Sequence, residues 1–486
     1  LAAAGSTGPA SYRLQPTRTP TIARTNPRTP APDAVGGNLK VASFNVLNYF
    51  TAFVDGSTAD GRTGQGCSLG GSVAASNCRG ANNAAEFDRQ RRKIVEALAA
   101  IDADIVGLIE IQNNGTEATR DLVEALNTRL GGLVYDVVPE PATGSGTDAI
   151  KLAFIYKPSK VTRVGEPVTD TDAVHNRPPL AQTFAAPNGE RVSVIVNHFK
   201  SKGCGGAVGA DLDQGDLQGC FNEQRLQQAQ ALRTFVEGVQ AMAQSDDVLV
   251  LGDLNAYAKE DPIHELTALA GHVDEIGKRD AFGYSFTFDG ASGRLDHALA
   301  TPTLSPKVTG ATVWHVNTDE PSVIDYNTEF KPPSPDLYTA TSYRSSDHDP
   351  VVVGLGLVKT IDGSAKRDRI VGSPGDDVIT AGAGPDLISG GAGADLFVFS
   401  TLRGGVDMIT DFTPGQDRID LRPLRRGAGA PAGRVTDGAV RVLPMGTSSL
   451  IQLRTTDGPK RRDYRTVVIL RAVEADRLLP ARDFLY

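Results

Sequence analysis

The sequence predicts an α+β sandwich, two β-sheets packed face to face with helices outside, followed by an all-β module built from repeats. Three observations carry this. Short apolar runs bounded by Gly, Pro, Asn or Asp recur from residue 39 onward. Two longer stretches between them place apolar residues three and four apart, as a helix with one buried face requires. Beyond residue 357 both patterns give way to a nine-residue period. A doubly wound parallel sheet is the competing architecture, because helical and strand segments alternate in part.

At 486 residues the chain exceeds one ordinary core, and two or three units are expected. It begins at Leu1 rather than methionine, so it reads as a processed product or part of a longer one. Residues 1–38, rich in Pro, Thr, Arg and Ala, show neither period and read as an N-terminal tail or linker. Residues 39–357 carry the apolar runs KVASFNVLNYF, DIVGLIEI, KLAFIYK, VSVIVNHF, DVLVLGDLN, RLDHALAT and DPVVVGLGL. The helical stretches are AAEFDRQRRKIVEALAAI and EQRLQQAQALRTFVEGVQAM. No run approaches the roughly 18 apolar residues of a membrane helix, so no membrane insertion is expected.

In residues 358–400 the nine-residue register holds at several positions at once. Asp377, Asp386 and Asp395 are spaced by nine, as are Gly375, Gly384 and Gly393, and Ile379, Ile388 and Phe397. Gly363, Asp368 and Ile370 keep the same register one step earlier. The pattern matches the repeat of a parallel β-roll, in which glycines turn the chain, the apolar position fills a flattened core, and stacked aspartates share calcium. A flexible Gly/Asp linker has no reason to keep three positions in step. Residues 401–486 read as a β-rich cap.

Four cysteines form two close pairs, Cys67 with Cys78 and Cys204 with Cys220. Local disulfides are the simplest of the three connectivities, each stabilising by roughly 2 to 3 kcal/mol and suited to an oxidising compartment. A zinc site of four thiolates is the alternative, against which stands the lack of any tight C-x2-C spacing. The formal charge of −9 argues against a broad basic nucleic-acid-binding face but leaves room for a local basic cleft.

The chemistry concentrates where predicted strands end. FNVLN holds Asn45, LIEIQNN holds Glu110, VNHFKSK holds His198 with Lys200 and Lys202, LGDLNAY holds Asp253 and Asn255, GRLDHAL holds Asp296, and SSDHDP holds Asp347 and His348. Each alone could be a rim carboxylate, a surface histidine or a turn; it is their joint occurrence that points to a site. Carboxylates gathered without a cation raise one another's pKa, which itself argues for a divalent ion.

In these motifs, and in their order, the chain resembles the endonuclease/exonuclease/phosphatase family over roughly residues 39–357, and more closely its extracellular bacterial nucleases, through GTDAIKLAFIYKP, HNRPPLAQTF, NHFKSKGC and GCFNEQR. The resemblance implies a four-layer α/β/β/α sandwich of the DNase I type. It assigns Asn45, Glu110 and Asp347 to a magnesium or manganese ion, and Asp253 and Asn255 to the attacking water and scissile phosphate. His348, oriented by Asp296, becomes the water-activating histidine and His198 the leaving-group histidine, an assignment that could be reversed. Arg177 and Lys200 are expected at the phosphate, with Asp148 and Lys151 near the rim. The insertion from Cys204 to Cys220 departs from pancreatic deoxyribonuclease and puts substrate preference in question.

The implied protein is a monomeric, secreted, extracellular endonuclease of low sequence specificity acting on DNA, with RNA left open, and carrying calcium in its roll. A sphingomyelinase or phosphomonoesterase on the same scaffold is the alternative within enzymes, less favoured because no exposed aromatic docking hairpin is evident in the sequence. A calcium-binding surface protein with an inactive domain is the alternative from another class. DMITDFTPGQDRIDL and RDFLY resemble the ends of repeats-in-toxin proteins exported by type I machinery. Deleting residues 480–486 should therefore abolish export into the medium, and normal export of the shortened chain would refute that signal.

Overall fold

In a computed structural model, residues 17–19, 21, 28–329, 331, 335–402, 404–427, 440–454 and 464–486 are described. Most of the expected N-terminal tail lies outside them. Leu1–Pro30 forms a unit apart from Ala31–Tyr486.

Two six-stranded sheets make the sandwich. One runs in the order Val308–Val313, Val351–Leu355, Leu39–Tyr49, Ile105–Gln112, Ile150–Tyr156, Asp136–Val137. The other runs Val273–Asp274, Asp296–Ala300, Val248–Asp253, Arg191–His198, Leu180–Ala185, Thr162–Thr169. Each has a single parallel pair, Leu39–Tyr49 with Ile105–Gln112 and Arg191–His198 with Val248–Asp253, all other neighbours being antiparallel. The doubly wound alternative is thereby excluded.

Both inner faces are apolar, and Val41, Ile109, Phe154, Val196, Leu251 and Val353 interlock between the sheets. Helices Ala84–Ile101 and Glu117–Leu130 cover the first sheet through Phe87, Ile94, Leu98, Leu122 and Leu126. Helix Asn222–Ala243 covers the second through Leu232, Val236 and Val239. Strand residues buried on both faces explain why the sequence shows apolar runs rather than alternation. The layers are those of the DNase I-like sandwich.

Both disulfides form as paired in the sequence, Cys67 with Cys78 and Cys204 with Cys220. The sandwich begins before residue 39: Val35 is buried, its carbonyl accepts from Thr309 Oγ1 at 2.8 Å, and Asn38 bonds Leu357 in both directions. An exposed aromatic hairpin, unexpected from the sequence, is also present: Phe286–Phe288 pairs with Ala291–Gly293 and leaves Phe288 in solvent. Strands of three residues are too short for a periodic signal.

In the C-terminal module, the repeat strands up to Val398 stack in parallel into two sheets with partners 18 residues apart, as in Ile370 opposite Ile388 and Ile379 opposite Phe397, two repeats per turn. Those four side chains fill the core. The ladders continue past residue 400 through Asp407–Ile409 and Arg418–Asp420, and Phe484–Leu485 pairs with Ile419–Asp420, so the expected boundary at 400 falls inside the roll. Deleting 480–486 would remove that last strand as well.

Stacked aspartates follow the roll's axis: Asp377 N–H donates to Asp395 Oδ1 at 3.0 Å, Asp386 N–H to Asp407 at 2.8 Å and Asp395 N–H to Asp417 at 3.0 Å. The second oxygens of Asp386 and Asp395 are buried without a partner. Burial and neighbouring carboxylates push Asp395 up to about 7. This donor set fits a hard cation. Calcium at a hundredfold over its Kd should stabilise the roll by about 2.7 kcal/mol. Calorimetry of the full chain should show the gain and Asp395→Ala should diminish it; an unchanged melting profile with calcium would count against the site.

Candidate active site

The sandwich geometry gathers the site before any side chain is considered. The central strands of the two sheets end at one edge, and their antiparallel neighbours begin there. Register then sets the neighbours: Asp253 lies opposite His198 on one side and Asp296 on the other. Gly252 is required just before it, with φ at 124°, because a Cβ there would come within 2.3 Å of the Asn197 carbonyl oxygen. The glycine of GDLN is thus a packing requirement.

Glu110 sits at φ 68° where its strand's pairing shifts register between Leu108 and Ile111. Such a bulge re-aims a side chain, and a non-glycine residue in this region is held only when its surroundings over-determine it. Here Asn45 Nδ2 donates to Glu110 Oε1 at 3.2 Å and Asn48 N–H to Oε2 at 2.9 Å. Asn45 Oδ1 accepts from Leu47 N–H at 3.0 Å, which holds the amide where its Nδ2 orients Glu110.

The two histidines converge on Asp253. His198 Nε2 stands 3.5 Å and His348 Nε2 3.8 Å from the same oxygen, Oδ2, and His198 Nε2 is 3.9 Å from Glu110 Oε1. Asn255, at φ 47°, gives its N–H to Asp253 Oδ1 at 2.8 Å and its amide to the Phe199 carbonyl at 3.2 Å. His348 Nδ1–H donates to Asp296 Oδ2 at 2.7 Å, which fixes the ring and its tautomer.

Their environments separate the two imidazoles. Burial, reinforced by Arg177, holds His198 well below the usual histidine range, which favours its neutral form. Burial also opposes charge on His348, but Asp296 and Asp253 outweigh it and hold this ring well above that range. Asp253, raised by burial and by Asp296 and Glu110 against the pull of His348, reaches about 7. A group poised there can exchange a proton near neutral pH.

Glu110 is raised by burial and then by the charge of Asp347. Two neighbouring carboxylates, one of them oriented by an amide, are a donor set that fits magnesium, which keeps much of its water. Among the described residues no group of three or more His, Cys, Asp and Glu is arranged so that it could hold a metal ion by itself.

Arg177 stands differently from the expectation. Arg177 is partly buried, bonds the carbonyls of His198 and Phe199, and lies 3.8 Å from Asp148, which also meets Arg79 at 3.5 Å. It buttresses the His198 strand end. The Lys200 ammonium rests over the Phe221 ring at 4.3 Å, Lys202 is bound to Glu260, and Lys151 to Glu140.

Sequence reading missed several supports. Ser285 Oγ–H donates to Asp296 Oδ2 at 2.7 Å, Asn317 Nδ2 holds the His348 carbonyl at 2.7 Å, and Asp349 accepts the N–H groups of Val316, Asn317 and Thr318. Ser346 Oγ–H ties the loop to the Asn45 carbonyl at 2.6 Å. Ser346 and Asp349, inside SSDHDP, had a signal in the sequence; Ser285 and Asn317 did not.

The sequence profile described as the Endonuclease/Exonuclease/phosphatase family matches residues 43–348, and that of the RTX calcium-binding nonapeptide repeat matches residues 362–397. Among solved structures, a mannosyl-6-phosphatase from Bacteroides thetaiotaomicron is similar at 16% identity, over 66% of this chain and 100% of its own, with a TM-score of 0.41. The human nocturnin catalytic domain is similar at 14% identity over 66% and 95%, with a TM-score of 0.38. D. rerio TDP2 with a single-strand DNA product is similar at 15% identity over 65% and 97%, with a TM-score of 0.38. A comparison with curated proteins gave no match.

If Asp296 holds the charge on His348, then Asp296→Asn should lower the imidazole pKa of His348, read from its ring signals in an NMR titration. An unmoved titration would remove Asp296 from this role.

Proposed function

The chain belongs to the endonuclease/exonuclease/phosphatase family, and we propose that within it this protein is a secreted, magnesium-dependent nuclease that cuts DNA internally and also accepts RNA. Members of the family are phosphodiesterases and phosphatases that use divalent metals, and RTX repeats bind calcium and are typical of secreted proteins. No helix among the described residues is long and apolar enough to cross a membrane. The observation that carries the reading is the convergence of His198 and His348 on one oxygen of Asp253, beside Glu110. One neutral and one charged imidazole supply a base for water and an acid for the departing oxygen, as hydrolysis of any phosphate ester can use; the choice of a nucleic-acid diester rests on the resemblance to extracellular nucleases in GTDAIKLAFIYKP, HNRPPLAQTF and NHFKSKGC.

Hydrolysis forms a bond from water oxygen to phosphorus and breaks the bond to the departing oxygen. The water proton passes to the Asp253–His198 side, where His198 is neutral and Asp253 poised near neutrality. The departing oxygen takes a proton from His348, which Asp296 keeps charged and aimed. These protonation states favour the reverse of the roles first expected for the two histidines. Asn255 and Asp253, locked together, would align water and phosphate. Glu110 and Asp347 would hold the magnesium ion, which when bound neutralises charge gathering on the phosphate. Arg177 acts by supporting His198, and Lys200 is the cation free enough to meet a flanking phosphate from the rim. Export by type I machinery remains part of the proposal and rests on the repeats.

Covalently closed plasmid DNA incubated with magnesium and calcium should be nicked by the wild type, and His348→Ala should slow nicking by roughly 100-fold or more. Hydrolysis of sphingomyelin or a sugar phosphate with an intact plasmid would replace this reading with a phosphatase or lipase-like one.

A further inference from the structure

From Phe282 to Phe288 every second residue is aromatic: Phe282, Tyr284, Phe286 and Phe288. The last of these end in the hairpin Phe286–Phe288 with Ala291–Gly293, turned by Asp289 and Gly290 at φ 48° and 79°. Positive φ at both turn positions is the tight hairpin turn whose twist matches the strands, so the register is set. Side chains alternate across a strand, and Phe286 and Phe288 therefore share one face, opposite Gly293 and Ala291.

That face is continuous with the catalytic centre. The inner ring, Phe286, lies over His348 with centroids 4.6 Å apart and planes at 31°. Opposite it, a Cβ on Gly293 would approach the Tyr257 ring to 2.5 Å, so the glycine is what lets Tyr257 pack there. Tyr257 follows Asp253 and Asn255 on the same loop, and the Lys202 ammonium lies 5.1 Å from its ring centre. At the outer end Phe288 is 69% exposed, and Phe282, further along the segment, is 92% exposed.

Resting on the nuclease reading above, we propose that Phe288, Phe286 and Tyr257 form a stacking lane for unpaired bases beside the scissile phosphate, which makes single-stranded nucleic acid the preferred form of substrate. Base faces inside a duplex are covered by neighbouring pairs, whereas an unpaired base can lay its face on an aromatic ring whatever its identity. The lane thus selects strandedness without selecting sequence. A lipid surface fits less well. The apex of the hairpin is Asp289, whose carboxylate would have to enter the bilayer interface with Phe288.

Phe288 lies outside the catalytic machinery and is exposed, so its replacement leaves the core intact. With the full chain in magnesium and calcium, kcat/KM is measured on an end-labelled single strand and on the linear duplex of the same sequence. Wild type should prefer the single strand, and Phe288→Ala should lower that activity about tenfold, through KM, while leaving duplex cutting unchanged. Phe288→Trp should restore it and Phe288→Leu should not. Equal losses on both substrates, or no loss, overturn the lane while the nuclease reading stands. Sphingomyelin-vesicle binding abolished by Phe288→Ala and kept by Phe288→Leu, with single-strand cutting unchanged, would assign the hairpin to lipid and overturn it too. A wild type that cuts neither nucleic acid brings down both.

Discussion

The register that sets Asp253 between His198 and Asp296 is the constraint on which the rest of the site depends. In a sheet, side-chain position follows from hydrogen-bond pairing, and a slip of one residue would turn Asp253 into the opposite layer. Hydrophobic patterning on both faces forbids that slip, because Leu251 fills the inter-sheet core and Val250 packs under the outer helix. The same burial that secures the strands removes water from the carboxylates and imidazoles. Their separated protonation states are therefore a product of the core as much as of their neighbours.

Much of this was legible in the sequence, and its legibility followed the physics. Runs such as DVLVLGDLN announce strands because both faces are buried, and the residues that end them announce an edge. Asp253, Asp296 and His348 could be singled out because their motifs combine ionisable groups with a strand end. Ser285, Asn317 and Tyr257 could not, since a serine, an asparagine or a tyrosine in a loop is commonplace until its partner is known. Arg177 was read as a phosphate ligand from its place in a motif, whereas its guanidinium bonds two backbone carbonyls. The roll was more transparent than the sandwich, because strict repetition exposes register directly. Its continuation through Asp407 and Asp417 was hidden by the spacing, which widens from 18 to 21 and 22 residues.

Roll and sandwich are joined by more than the connecting chain. Asn188, in the turn between two strands of the second sheet, donates to the carbonyls of Leu357 at 2.7 Å and Asp376 at 3.1 Å, and Asn38 donates to the Asp376 carboxylate at 3.2 Å. Asp376 precedes Asp377 of the calcium ladder. One short segment therefore serves a cation-binding stack on one side and a turn of the catalytic domain on the other. Two asparagines suit this joint because each offers donor and acceptor at once and neither adds charge beside the aspartates.

The first strand of the sandwich, Leu39–Tyr49, is completed by Val351–Leu355, some three hundred residues later in the chain. Closing a loop of that length loses chain entropy before the contact is made, and topologies rich in such pairings fold slowly. Because Ser346 reaches back to Asn45 and His348 to Asp296, the active centre is assembled by the closing event itself. A chain whose sheets have begun to form but whose final strand is not yet inserted has no working site. Latency during synthesis is thus a property of the topology and needs no separate inhibitor.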